Sequence, residues 1–185
     1  MLVIKLGGSL LNLPNLHERL LNFLHALYTS TWLIVPGGGA SADVIRDLDR
    51  THHLSEAAHW LALRACTLNA HLLHHWLPHA PLVSEPVGFR GQGILDPFTF
   101  CQRDEGQPDA LPHTWEATSD SVAARVAGLA QADLLLLKSI ALPPPIDWDE
   151  AARAGHVDPL FPHLVRRDRL RVRVINLRPR LDQAD

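Results

Sequence analysis

Within the first forty residues two short apolar runs each end in a cluster of glycines, and each cluster leads into a helical pattern. Leu2–Leu6, with Lys5 near its end, is stopped by Gly7-Gly8-Ser9. The run over 31–35 is closed by Pro36 and Gly37-Gly38-Gly39. Strands this apolar have no side for water, so they belong inside a sheet covered on both faces. Between them, Asn15 with Glu18 three residues on reads as a capping-box variant. Leu20, Leu24 and Leu27 then recur at helical spacing, with Leu21 and Tyr28 beside them. A second helix is predicted over 41–50, with Val44, Ile45 and Leu48 on one side. Alternating strand, glycine turn and helix predicts an α/β fold, a three-layer sandwich with a mainly parallel central sheet.

Ser55 and Glu56 open the longest helical pattern, which runs to about Leu77. Its apolar stripe reads Ala58, Leu61, Ala65, Leu68, Leu72 and Trp76. Residues 86–112 are rich in Gly, Pro and polar side chains around a short apolar stretch at 98–101. They read as irregular surface carrying a lid or one edge strand. A small-residue helix is expected over 121–130, a buried strand over 133–137 and a rigid connection at Pro143-Pro144-Pro145. Helices near 149–154 and 160–168 and a strand over 171–175 complete the pattern. With no internal repeat and no long linker, the 185 residues read as a single domain, 1–185.

Lys and Arg number 17 against 20 Asp and Glu, a net charge of −3, which argues against a nucleic-acid partner. No uncharged apolar run approaches the ~18 residues that span a bilayer, so no membrane partner is expected. The start MLVIKLGGSLL has none of the three regions of a signal peptide. Cys66 and Cys101 form no CxxC pair and read as small apolar residues of a reducing compartment. The expected location is cytoplasmic.

The glycine turns are the first chemical candidates. They are either tight connections or phosphate cradles, because glycine lets backbone N–H groups approach an anion and the next helix adds its positive end. Both would lie beyond the carboxyl ends of the strands, where open α/β sheets bind ligands, and Lys5 would lie there too. Neither cluster fits GxxxxGK[ST] or GxGxxG. The third candidate is Thr118-Ser119-Asp120-Ser121. It reads as a helix start capped by Ser119 or Asp120, or in addition as a carboxylate fixed at the same sheet edge to orient Lys5 or a metal-bound phosphate.

Taken in order, VIKLGGSLL, LIVPGGGAS and TSDSVAARVAGLAQADLLLL resemble the amino acid kinase superfamily, which includes acetylglutamate, uridylate, aspartate and isopentenyl phosphate kinases. LSEAAHWLAL, HTWEATSDS and the tail HVDPLFPHLVRRDRLRVRVINLRP resemble a small branch, that of (5-aminomethyl-furan-3-yl)methyl phosphate kinase of methanofuran biosynthesis. Proteins similar to that branch accompany tetrahydromethanopterin-linked one-carbon metabolism.

The resemblance implies an ATP- and Mg2+-dependent kinase of a small phosphorylated acceptor, assembled as a dimer-based homo-oligomer. Lys5 matches the lysine that neutralises the moving phosphoryl group, and Asp120 the aspartate that positions it. Gly7, Gly8 and Ser9 match the first phosphate-holding turn, with Ser119 beside it on the nucleotide side. Gly37, Gly38 and Gly39 match the turn near the acceptor, where Thr118 and His59 are also expected. Where relatives carry an Asp-Val-Asp-Gly-like nucleotide segment, this chain has Lys138-Ser139-Ile140-Ala141 and then three prolines, so its nucleotide side is shortened. Lys138 either replaces a phosphate contact, or the nucleotide, the acceptor or the activity itself has changed. A carboxylate or carbamate kinase and a non-catalytic ligand-binding subunit are the alternatives.

His71, His75 and His79 are spaced i, i+4 and i+8, with His74 adjacent, yet neither HExxH nor a cysteine pair accompanies them. They read as a solvated or interface face rather than a zinc site, and no protein metal site is expected. Trp115 either lines an acceptor pocket or anchors the loop before Thr118. Arg166, Arg167, Arg169, Arg171 and Arg173 read as a mostly solvated basic face.

Overall fold

A computed structural model describes residues 1–142 and 144–178. Six strands form one sheet: β1 (Leu2–Leu6), β2 (Trp32–Pro36), β3 (Leu82–Val83), β4 (Gln92–Leu95), β5 (Asp133–Lys138) and β6 (Val172–Asn176). Their order is β3-β4-β2-β1-β5-β6, and every pairing is parallel rather than mainly so. The helices are α1 (Leu16–His25), α2 (Gly39–His52), α3 (Glu56–Trp76), α4 (Pro97–Asp104), α5 (Ser119–Leu129), α6 (Trp148–Arg153) and α7 (Phe161–Arg167).

The two faces of the sheet bury separate cores. Val3, Leu33, Leu134 and Leu136 face α5 and α7, whereas Leu2, Ile4, Leu6, Leu135 and Leu137 face α1 and the end of α3. Side chains alternate along a strand, so Lys5 shares the α5 face with Val3, and Lys138 shares it with Leu134 and Leu136. The β1–β5 register pairs Lys5 with Leu136. Both lysines therefore emerge on one face at the carboxyl ends of neighbouring strands.

Several local expectations give way to packing. The stretch at 98–101 belongs to α4, begun by Asp96, whose carboxylate accepts Thr99 N–H at 3.2 Å, and by Pro97 in the first turn. The sheet edge there is β3 and β4. On α3 the buried residues include Ala58, Leu63, Ala65, Cys66, Ala70 and Leu73, while Leu68 and Leu72 are exposed. The helix carries apolar residues on several sides, so spacing alone left its rotation open; the two cores it bridges decide it. Val44 and Leu48 on α2 are exposed, and so is Tyr28, beyond the end of α1. Asn15 stands at the start of α1 without capping it; its Oδ1 instead accepts Arg19 Nε–H at 3.0 Å.

His71 and His75 are exposed on α3, and His79 lies beyond the helix end. His74 Nδ1 is 2.9 Å from the Ala80 carbonyl. Of the proline connection, Pro143 lies outside the described residues, as does Pro179 of the tail. No described helix is long and apolar enough to cross a membrane.

Candidate active site

The two glycine turns sit against each other at the strand ends. Gly7 N–H donates to the Leu137 carbonyl at 2.8 Å and Gly37 N–H to the Leu6 carbonyl at 2.9 Å, which ties the first turn to the β5 end and the second to the β1 end. Gly8 packs so closely that a Cβ there would meet the Gly39 backbone, with Cα 2.7 Å away. Gly39 itself has φ +54°, a left-handed conformation that favours glycine. From α3, the Asn69 amide donates to the carbonyls of Gly37 at 2.7 Å and Gly38 at 2.9 Å. Asn69 escaped sequence reading. Its only signal is a buried polar side chain on an apolar helix, which must find partners.

Next to these turns, one carboxylate holds two lysines. Asp120, in the first turn of α5, has Lys5 Nζ 2.9 Å from Oδ1 and accepts hydrogen bonds from Lys138 Nζ on Oδ1 and Oδ2, both at 2.8 Å. Lys138 also donates to the His156 carbonyl at 2.7 Å. All three side chains are buried. Burial pushes the Asp120 carboxyl up, but Lys5 and Lys138 outweigh it and hold it below its ordinary value. Lys138 is lowered to about 8, chiefly by burial and then by the charge of Lys5, with Asp120 opposing both.

The start of α5 is not capped by Ser119 or Asp120. Both lie inside the helix, and Thr118 occupies the cap position without a side-chain capping bond. The capping carboxylate comes instead from Asp158, remote in sequence, which accepts the N–H groups of Thr118 and Ser121 at 2.9 Å. A cap supplied 40 residues downstream leaves no local pattern to read.

A cavity of about 950 Å3 opens over this floor. Lys5, Gly7, Gly8, Ser9, Ser119, Asp120 and Lys138 line one part; Gly38, Gly39, His59 and Thr118 line it toward α2 and α3. Thus the expected site residues converge, except Gly37, which lies behind the wall with its carbonyl on Asn69. Ser139 joins the wall, and its hydroxyl is 3.0 Å from that of Ser9.

Trp115 both lines the cavity and anchors its loop. Its Nε1–H donates to Asp49 Oδ2 at 2.7 Å, and the Arg46 guanidinium lies 4.5 Å over its ring. His59 stacks on His113, centroids 4.9 Å apart. Burial and the His113 charge lower its pKa to about 4, so it faces the cavity as a neutral imidazole. His113 in turn bridges Glu56 and Glu105, each at 2.8 Å. Of the arginine run, Arg166 and Arg171 pair with Asp149 and Asp133 at 2.6 and 2.9 Å.

This all-parallel sheet, with two glycine turns at the carboxyl ends of its strands, is shared by solved structures of kinases. Uridylate kinase from Archaeoglobus fulgidus superposes with a TM-score of 0.65 at 17% identity, over 94% of this chain and 89% of that one. UMP kinase from Bacillus anthracis gives 0.60 at 15%, over 96% and 87%. Aspartate kinase from Synechocystis gives 0.64 at 16%, over 94% of this chain but 38% of the longer enzyme. No protein-family model matches the sequence, and no curated protein sequence matches it. At identities this low, the superpositions show a shared fold and nothing of the chemistry.

Proposed function

We propose that this chain is an ATP-dependent phosphotransferase that converts a small phosphate monoester into a diphosphate. The observation that carries the reading is the buried Lys5–Asp120–Lys138 cluster beneath the two glycine turns. Two ammonium groups against one carboxylate leave a positive charge at the cavity floor. A loose phosphoryl-transfer transition state asks mainly for alignment and charge stabilisation. Uridylate, UMP and aspartate kinases on the same fold support the class.

The donor set suits a triphosphate. Gly7, Gly8, Gly38 and Gly39 present bare backbone, Ser9 and Ser119 present hydroxyls, and the lysines supply charge. Among the described residues no group of three His, Cys, Asp or Glu side chains is arranged to hold a metal. Magnesium would therefore be bound by phosphate oxygens and water. Bound magnesium-ATP supplies the phosphoryl group. Lys5 neutralises charge on its oxygens, Asp120 orients Lys5, and the paired turns hold donor and acceptor phosphates in line. Lys138 adds charge from the nucleotide side, while Gly37, tied to Asn69, fixes the second turn from behind. His59, Thr118 and the Trp115 ring form the acceptor end.

By its resemblance the acceptor is an aminomethyl-furanmethyl phosphate on the route to a methanofuran-type cofactor of one-carbon metabolism. We read residues 1–185 as one domain, shortened on the nucleotide side, acting as a dimer-based homo-oligomer in the cytoplasm. Phosphorus NMR with magnesium-ATP and that monoester is the test. Diphosphate resonances growing with ADP are expected. ATP signals that shift without product would reopen the choice of acceptor, a carboxylate or carbamate included. An unchanged spectrum would overturn ATP chemistry and leave a non-catalytic ligand-binding subunit.

A further inference from the structure

We infer that Asp158, in the loop before α7, is a positioning residue: it clamps the first turn of α5 and thereby sets Asp120 between Lys5 and Lys138. Its Oδ2 accepts Thr118 N–H, Thr118 Oγ1–H and Ser121 N–H, each at 2.9 Å. Its Oδ1 accepts Phe161 N–H at 3.0 Å and the Ser121 hydroxyl. These partners are neutral donors, and they belong to two helices, α5 and α7. Asp120 lies in sequence between the clamped Thr118 and Ser121, so it moves with them. The same loop also supplies the His156 carbonyl that receives Lys138. One short segment thus holds both the lysine and the helix turn bearing its carboxylate.

A helix start needs its orphan N–H groups satisfied, but a Ser or Asp at the cap position does this locally with little desolvation. Here Thr118 holds that position and donates its hydroxyl away. A buried carboxylate without a cation is costly, and burial together with Asp120 pushes the Asp158 carboxyl above its ordinary value. What the arrangement adds over a local cap is a fixed register between α5 and the loop over 155–160.

The sequence contains two lysines, Lys5 and Lys138, so lysine labelled with carbon-13 at Cε reports both by NMR without any turnover. The charged groups facing Lys138 are Asp120 from α5 and Lys5 from β1. Asp158→Glu keeps the charge and displaces the oxygens by one methylene. As Asp120 withdraws, the Lys138 titration is expected to move to lower pH. The rate constant kcat should fall by about a hundredfold, the scale of a 1 Å misplacement, with KM little changed. Ser121→Ala removes one clamp bond without touching any charge and should shift Lys138 the same way by less.

A folded Asp158→Glu protein with wild-type lysine titration and wild-type kcat would overturn the proposal. So would a lowered Tm with both readouts unchanged, since that is a purely structural role. Should Asp158→Glu fail to fold, unchanged lysine signals in Ser121→Ala overturn it equally. The kinetic arm rests on the phosphotransferase reading; if the wild type turns over nothing, that reading falls while the lysine titration still decides this one.

Discussion

Lys5 and Lys138 converge on a single oxygen, Asp120 Oδ1, at 2.9 and 2.8 Å, from neighbouring parallel strands. They are the two lysines of the whole sequence; every other fixed cation is an arginine. The pairing follows from side-chain alternation along β1 and β5 together with the register of Lys5 opposite Leu136. The result is a buried excess of positive charge at the edge where the fold opens, in surroundings that screen it weakly.

Asp120→Asn removes the counter-charge of both ammonium groups. Breaking a buried pair in this way typically costs about 3–5 kcal/mol, so thermal unfolding should shift down by roughly 10 °C for a chain of this size. Turnover is expected to fall by about a hundredfold or more, since Lys5 loses its orientation. Steady-state kinetics and calorimetry check the two effects separately. Full activity in the folded variant would remove Asp120 from the site.

Lys138 titrates near 8, so the site loses a positive charge above that pH. In the phosphotransferase reading, kcat/KM is flat below pH 8 and falls above it by about tenfold per unit. Stability runs the other way. Unfolded, the same lysine keeps its proton to about 10.4. Between pH 8 and 10 the unfolded state therefore binds more protons, and this group's contribution to folding stability rises with pH. A pH–rate profile beside a pH–stability curve distinguishes loss of charge from loss of fold.

Gly8→Ala drives a Cβ into the Gly39 backbone. Because the obstacle is main chain, the two turns must separate, at a cost of about 1–3 kcal/mol. ATP affinity by calorimetric titration should fall by more than the stability loss explains. Undiminished ATP binding would show that the contact between turns is merely structural.

Asn69→Leu keeps the branched outline of the side chain and leaves the Gly37 carbonyl without its partner, while the Gly38 carbonyl keeps only the longer bond from Ala42 N–H at 3.4 Å. Each buried unsatisfied carbonyl costs about 1–3 kcal/mol. The second turn should loosen, raising KM for the acceptor more than KM for ATP. Equal changes in both would place Asn69 in general packing rather than in support of the acceptor side.

Much of the architecture was legible because it is local. The apolar runs over 2–6 and 133–137 have no polar face, so they demanded a sheet covered on both sides, and the glycine clusters marked where those strands must turn. Lys5 and Asp120 stood out by their place beside those turns. The α3 stripe was misread because Leu61, Leu63, Leu68, Leu72 and Leu73 surround the helix, and hydrophobic spacing cannot choose among near-equal rotations. The edge strand β3 carried no readable signal, and its neighbour β4 only the expectation of a lid or one edge strand within 86–112, because two and four residues carry little pattern.

By itself the sequence determined the strand–turn–helix alternation and the two glycine turns at the strand ends, since both follow from residues adjacent in the chain. Tertiary structure decided which charges meet. The β1–β5 register brought Lys5 beside Lys138, α3 brought Asn69 under the second turn, and the loop before α7 brought Asp158 to the start of α5. Each of these contacts joins residues far apart in the chain, and such partners are chosen by the packing of strands and helices, which leaves no periodic trace along the sequence.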